Sequence, residues 1–227
     1  MYLGSNGMIG SPQKQRILID GPAGALEVLV EQPPTPDGPL CVICHPHPQF
    51  GGTLDNKVVY TLARAALDLG ARALRFNLRG VGQSVGQFAD AVGETQDLLA
   101  VVAYARAAYP EQAIHLAGFS FGAAVALRGH RAADAASLLL VAPPAGMGYL
   151  DECAAPALPW HVVHGSRDQL ISLDQARRWL AVVAGPTAPV TVIDDADHFF
   201  HGRLTPLREA ASGFWSPLFD GGRRTSP

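Results

Sequence analysis

Cysteine is scarce in this chain of 227 residues, which carries only Cys41, Cys44 and Cys153. So small and odd a set excludes a disulfide framework as the source of stability. Cys41 and Cys44 have CxxC spacing, but they lie in an apolar run that reads as a strand. Positions three apart on a strand face opposite ways, so the two sulfurs are expected to stay apart as small core side chains. Charge of one sign is also scarce. The formal net charge is −3, and no block of like charges exceeds Arg223–Arg224. That removes the electrostatic footprint of a nucleic-acid or membrane-surface partner. Long apolar runs are missing too: no segment approaches the ~20 residues needed to cross a bilayer. The polar, Gly-rich stretch Met1–Gln15 has no apolar run to serve as a signal sequence. A cytoplasmic location is the expectation.

Apolar material and turn residues are plentiful. Hydrophobic residues make up 48% of the chain, with 24 Gly and 18 Pro, enough for one domain with a substantial core. Residues 1–15 and 219–227 read as tails around a domain spanning 16–218. Within it, Arg16–Ile19 and Ala25–Glu31 read as two strands with no helix between them, and so as an antiparallel edge. From there short apolar strands alternate with helical stretches. Strands are expected at 40–44, 73–76, 114–117, 137–141, 160–164 and 189–193, and helices at 54–69, 90–109, 121–128, 173–184 and 200–211. Solid apolar strands alternating with helices argue for a mostly parallel sheet covered on both faces. Eight strands in this order match the α/β-hydrolase fold, in which ligands bind beyond the carboxyl ends of the strands.

Gly118-Phe119-Ser120-Phe121-Gly122 matches G-x-S-x-G between a predicted strand and a predicted helix, the setting that motif requires. A serine on such a turn is lifted clear of the sheet. Glycines two positions away on each side avoid collision, and the helix N-terminus favours developing negative charge. Ser120 is therefore the candidate nucleophile. A serine needs a base, and the base an orienting acid, in the chain order Ser, Asp or Glu, His. Asp168 follows the strand at 160–164, and His198 follows the strand at 189–193. His201 is the rival base, set inside the predicted last helix. Asp194, Asp195 and Asp197 are rival acids, better suited to capping that helix or to staying solvated.

One donor for the oxyanion is expected from the backbone N–H of Phe121, the other from the loop His45-Pro46-His47-Pro48-Gln49-Phe50. Pro46 and Pro48 have no N–H to give. His47, between them, keeps its amide and is a candidate donor, as is Gln49. His45 and His47 form an H-x-H pair, but no HExxH or carboxylate cluster supports a metal, and no metal or cofactor is expected.

The segments CHPHPQFGGTLDNKVV, RFNLRGVGQSVG, GFSFGAAVAL, APPAG, HGSRD and DADHFFHGRL together resemble a family of short bacterial α/β-hydrolases. These are lidless esterases distantly similar to dienelactone hydrolases. The resemblance covers about residues 16–215. It implies a Ser120, Asp168, His198 triad with an oxyanion hole from Phe121 and His47. A dienelactone hydrolase proper carries cysteine as its nucleophile, and Ser120 departs from that. In the RGVGQS turn the glycines are expected to serve the turn, and Ser84 stays outside the catalytic set.

Residues 143–159, rich in Pro and Gly, are too few for a helical cap, so an open site is expected. Phe50, Phe119, Phe121, Met147 and Phe199 are candidates to line a small acyl pocket. The chemistry expected is cleavage of small carboxylic esters through an acyl-enzyme, with a small acyl compound as partner. Thioester, lactone or peptide cleavage on the same triad is an alternative, as is a silent regulatory protein on this fold. Oligomeric state is not legible.

Overall fold

A computed structural model of the chain describes residues 13–35, 37–185 and 188–221. Eight strands form one sheet in the order β1-β2-β4-β3-β5-β6-β7-β8. β1 (Gln13–Gly21) and β2 (Gly24–Gln32) form an antiparallel hairpin, and β2 pairs antiparallel with β4 (Arg72–Phe76). All later pairings, through β3 (Leu40–Cys44), β5 (Ile114–Phe119), β6 (Ser137–Val141), β7 (Trp160–Gly165) and β8 (Val190–Ile193), are parallel. The central strands β3 to β6 are buried at every position, which is why they read as unbroken apolar runs.

Helices α1 (Lys57–Asp68) and α5 (Leu204–Gly221) cover one face, and α2 (Val92–Ala108), α3 (Phe121–Gly129) and α4 (Leu173–Ala184) the other. Cys41 belongs to the first face and Cys44 to the second, as strand periodicity requires. Burial pushes both thiol pKa values up. Among the described residues no helix is long and apolar enough to cross a membrane.

Several boundaries differ from expectation, α1 beginning at Lys57 rather than 54 and α5 at Leu204 rather than 200. β1 begins at Gln13, inside the segment expected as a tail, because its ladder with β2 continues to Gln32 and Lys14 reaches Glu31 at 3.0 Å. Residues 1–12 lie outside the described residues. At the other end α5 continues past Ala211 to Gly221. Gly213 and Pro217 look like breakers in sequence, yet Trp215 and Phe219 are buried four residues apart on one helical stripe, stacked at 5.9 Å. Tertiary burial of that stripe outweighs the weak local preference. Phe219 therefore belongs to the core, and only 222–227 of the expected tail lie outside the described residues.

Phe219 also faces His115 on β5, 4.8 Å between ring centroids, and His115 Nδ1 lies 2.7 Å from Ser137 Oγ. Burial pushes the His115 pKa down to about 4. The unfolded chain takes up this proton near pH ~6.5, whereas the folded chain does so only near the lower value. Stability is therefore lost as pH falls through that interval and is intact above it. Urea unfolding at pH 7 and at pH 4.5 should show the wild type losing about 2 kcal/mol more than His115→Gln across that drop. Equal losses would contradict the assignment.

Candidate active site

β5 runs into α3 through Ser120, whose φ of 54° and ψ of −120° lie outside ordinary strand and helix geometry. The Ser120 N–H donates to the Val141 carbonyl at 2.8 Å. Its hydroxyl makes no capping bond to α3, so it is available elsewhere. The flanking glycines are needed for space. A Cβ on Gly118 would run into the backbone of Gly122, and one on Gly122 into the carbonyls of Cys44 and His45. The serine turn is thus pressed against the end of β3, where the histidine loop begins.

The loops after β7 and β8 bring the other two candidates to the same place. Ser166 N–H donates to the Ile193 carbonyl at 3.0 Å, and Arg167 N–H to the Ala196 carbonyl at 2.9 Å. Across that seam His198 Nδ1–H donates to Asp168 Oδ2 at 2.7 Å, and His198 Nε2 accepts from Ser120 Oγ at 3.0 Å. Asp168 Oδ1 accepts from the amides of Leu170 and Ile171 at 2.9 and 2.8 Å. Those two bonds hold the carboxylate so that its other oxygen meets the imidazole. All three side chains are far apart in sequence and meet at one edge of the sheet.

The rivals go elsewhere. His201 is exposed and bonds Asp197 at 2.6 Å. Asp197 also accepts from the amides of Phe199 and His201, capping the turn ahead of α5 rather than α5 itself. Asp195 pairs with Arg167 and Arg203.

The loop after β3 begins at His45, which is fully buried. Its Nδ1–H donates to the Pro46 carbonyl at 2.6 Å, while its Nε2 accepts from the Leu78 N–H at 3.0 Å. Burial pushes its pKa down to about 4, so a neutral ring ties this loop to the one after β4. With both ring nitrogens engaged, His45 is a strut, and the H-x-H spacing has a structural use. Pro48–Phe50 form a single 3-10 turn capped by His47. The Gln49 N–H donates to His47 Nδ1 at 3.3 Å, and the His47 carbonyl accepts from Phe50 and Gly52. Gln49 is thereby committed to the turn, whereas no acceptor among the described residues meets the His47 amide. Phe121 is the first residue of α3, so its N–H falls outside the helical ladder.

A cavity of about 430 Å³ opens over Ser120 and His198. Phe50, Phe121, Met147 and Phe199 line it as expected. Phe119 does not: it is fully buried on the α1/α5 face, 5.2 Å beneath the His198 ring. Alternation along β5 turns it away from the cavity, where it supports the imidazole from below. Tyr149, Leu170 and Ile171 also line the cavity. They lie in irregular loops, with no periodic pattern in sequence to point to them. Among the described lining residues none is Lys, Arg, Asp or Glu. Residues 142–159 contain neither helix nor strand, so this segment supplies no helical cap to the mouth.

A family model described as the α/β hydrolase fold matches residues 42–128. A crystal structure of a Xanthomonas campestris protein, a member of the α/β serine hydrolases without lid, is 36% identical. It superposes with a TM-score of 0.85 over 95% of this chain and 97% of that one. The chain belongs to the α/β serine hydrolases. An α/β serine hydrolase homologue from Coxiella burnetii is 38% identical, with a TM-score of 0.81 over 94% of this chain and 99% of that one. An uncharacterised protein of Rickettsia prowazekii is 29% identical over 211 residues, 88% of this chain and 87% of that protein.

In this hydrolase the RGVGQS turn is a brace, with Arg79, Val81 and Ser84 buried. Ser84 Oγ donates to the Asn77 carbonyl at 2.6 Å and accepts from the Glu27 N–H at 2.9 Å. Arg79 forms a two-pronged bond with Asp97 at 2.7 and 3.0 Å. Both anchor the loop after β4 on which His45 leans. Gly122 joins the serine turn to the end of β3, with no room for a Cβ against the Cys44 and His45 carbonyls. Gly122→Ala should destabilise by about 2–3 kcal/mol and lower Tm by roughly 5–10 °C. Gly213→Ala, on α5 where a Cβ meets nothing, should leave Tm unchanged or raised. Equal Tm for both variants in a thermal melt would refute the backbone contact as a constraint.

Proposed function

We propose that this hydrolase is a serine esterase acting on small carboxylic esters, with Ser120 as nucleophile, His198 as base and Asp168 as its orienting acid. The observation that carries the reading is the unbroken chain Asp168–His198–Ser120 with contacts of 2.7 and 3.0 Å. His198 Nε2 takes the Ser120 proton as Oγ attacks the acyl carbon. The oxygen that becomes negative accepts from the amides of Phe121 and His47. His198 then passes its proton to the departing alcohol. A water, deprotonated by the same imidazole, releases the acid from the acyl-enzyme. Asp168 holds the Nδ1–H tautomer and stabilises the imidazolium that forms.

The cavity supports a small neutral substrate. Its walls are mostly apolar, none of its described lining residues is Lys, Arg, Asp or Glu to pair with a charged acyl group, and about 430 Å³ suits a short ester rather than a long lipid. The kcat/KM on p-nitrophenyl esters is expected to fall as the acyl chain lengthens beyond butyrate, and a preference for palmitate would overturn the size argument. A fluorophosphonate probe should label the wild type and leave Ser120→Ala unlabelled. Labelling of the alanine variant to the same extent would remove Ser120 as nucleophile. Asp168→Asn should retain the fold but lose kcat by about 10³–10⁴-fold, since the amide favours the wrong tautomer. A loss under tenfold would assign the acid to another carboxylate.

A further inference from the structure

The loop after β3, with His47, and the loop after β8, with His198, reach the cavity from opposite sides of β5, and His47 forms with Tyr149 a pair of polar side chains that the esterase reading does not use. His47 Nε2 lies 3.2 Å from the Tyr149 hydroxyl. The direction of this bond follows from the rest of the ring. The Gln49 N–H donates to His47 Nδ1, so Nδ1 is an acceptor. Burial lowers the His47 pKa, although Glu94 and Asp90 pull the other way, and the neutral ring has a single N–H. That proton sits on Nε2 and is donated to Tyr149. The tyrosine oxygen is therefore used as an acceptor, and its own O–H must find a partner elsewhere. Burial, with Asp90 and Glu94 adding to it, raises the Tyr149 pKa, so the proton stays on.

Tyr149 is held in place from two sides. Arg128 Nη1 donates to its carbonyl at 3.2 Å, and its ring meets Phe121 edge-on at 5.1 Å. His47 itself is wedged among the rings of Phe50, Phe88 and Phe121, all with centroids within 4.8 Å. These rings offer no acceptor of comparable strength. The remaining open direction is the cavity that Tyr149 lines.

We infer that the relay Gln49 N–H to His47 to Tyr149 aims a phenolic O–H into the acyl half of the cavity, making Tyr149 a specificity residue for short, neutral acyl groups that carry an ether or keto oxygen. The assignment to the acyl half rests on the esterase reading. His198 must hand its proton to the leaving oxygen, so the alcohol lies on the side of His198 and Phe199. The acyl chain then extends the other way, over Phe121 and Tyr149. Tyr149 is half-buried, and an acyl chain that covers its hydroxyl displaces water from it, so a substrate without an acceptor leaves the donor unpaired at a cost.

The test uses two pairs of near-isosteric p-nitrophenyl esters: methoxyacetate against butyrate, and 3-methoxypropionate against valerate. Within each pair an ether oxygen replaces one methylene. Values of kcat/KM are measured for the wild type and for Tyr149→Phe, and rates of hydroxide-catalysed hydrolysis give the intrinsic reactivity ratio of each pair. In at least one pair the wild-type ratio should exceed the hydroxide ratio by about 5- to 10-fold, and Tyr149→Phe should bring it back to the hydroxide ratio. Because each result is a ratio within one preparation, partial loss of folded variant does not affect it. If Tyr149→Phe fails to fold, the wild-type excess over hydroxide stands as the test.

Ratios equal to the hydroxide values in both pairs, or an excess that survives in Tyr149→Phe, overturn the role of Tyr149. Turnover of none of the four esters by an enzyme that still labels with fluorophosphonate overturns it as well. Failure of fluorophosphonate to label Ser120 in the wild type would instead strike the esterase reading beneath it.

Discussion

Backbone packed on backbone is the constraint on which the site depends. Gly122, the second residue of α3, lies against the carbonyls of Cys44 and His45 at the end of β3. No side chain fits there. The contact brings the Ser120 turn and the His45–Gly52 loop within reach of the same cavity, although more than sixty residues separate them. It also explains why Ser120 adopts a positive φ. A turn this tight leaves that one residue to absorb the reversal from strand to helix, and the hydroxyl is lifted free as a consequence.

Around this contact the molecule is stiffened by polar groups kept neutral or paired inside. His45 joins the loops after β3 and β4 through both ring nitrogens. The Asp168 carboxylate is fixed by two amides before it meets His198. Arg79–Asp97 and the Glu27–Asn77–Ser84 cluster brace the next loop along. Each buried polar group is worth more as a positioning device than as a source of stability, since a paired interior group gains little net free energy but loses much if its partner moves. The rim is different. Phe50 is 84% exposed, and Met147 and Leu170 are more than half exposed, which leaves an apolar mouth around a rigid floor.

Much of this was legible from residue order. Apolar runs of strand length, separated by Ala-rich helical stretches, gave away eight strands and the antiparallel edge. Placing Ser120, Asp168 and His198 just beyond strand ends brought them to one end of the sheet, and the structure brings their side chains into a hydrogen-bonded chain. The less legible parts have physical causes. α5 outruns its local signals because Trp215 and Phe219 are buried against the sheet in spite of Gly213 and Pro217. Phe119 sits beside Ser120 in sequence but beneath His198 in space, since neighbours on a strand alternate faces. Tyr149, Leu170 and Ile171 come from loops with no periodicity, and nothing local marks them as walls of the cavity.

By itself, then, the chain's pattern determined the fold class, the succession of strands and helices along the chain, and the residue types able to act as nucleophile, base and acid. Those follow from local rules: side-chain period, turn chemistry and the steric demand for glycine around a strained serine. Tertiary structure alone decided which histidine meets Ser120, which amide in the His47–Gln49 turn is left free, and how the Tyr149 hydroxyl is used. Each of these depends on where a hydrogen-bond partner from a distant segment comes to rest, and angstrom-scale placement of that kind is set by packing rather than by neighbours in sequence.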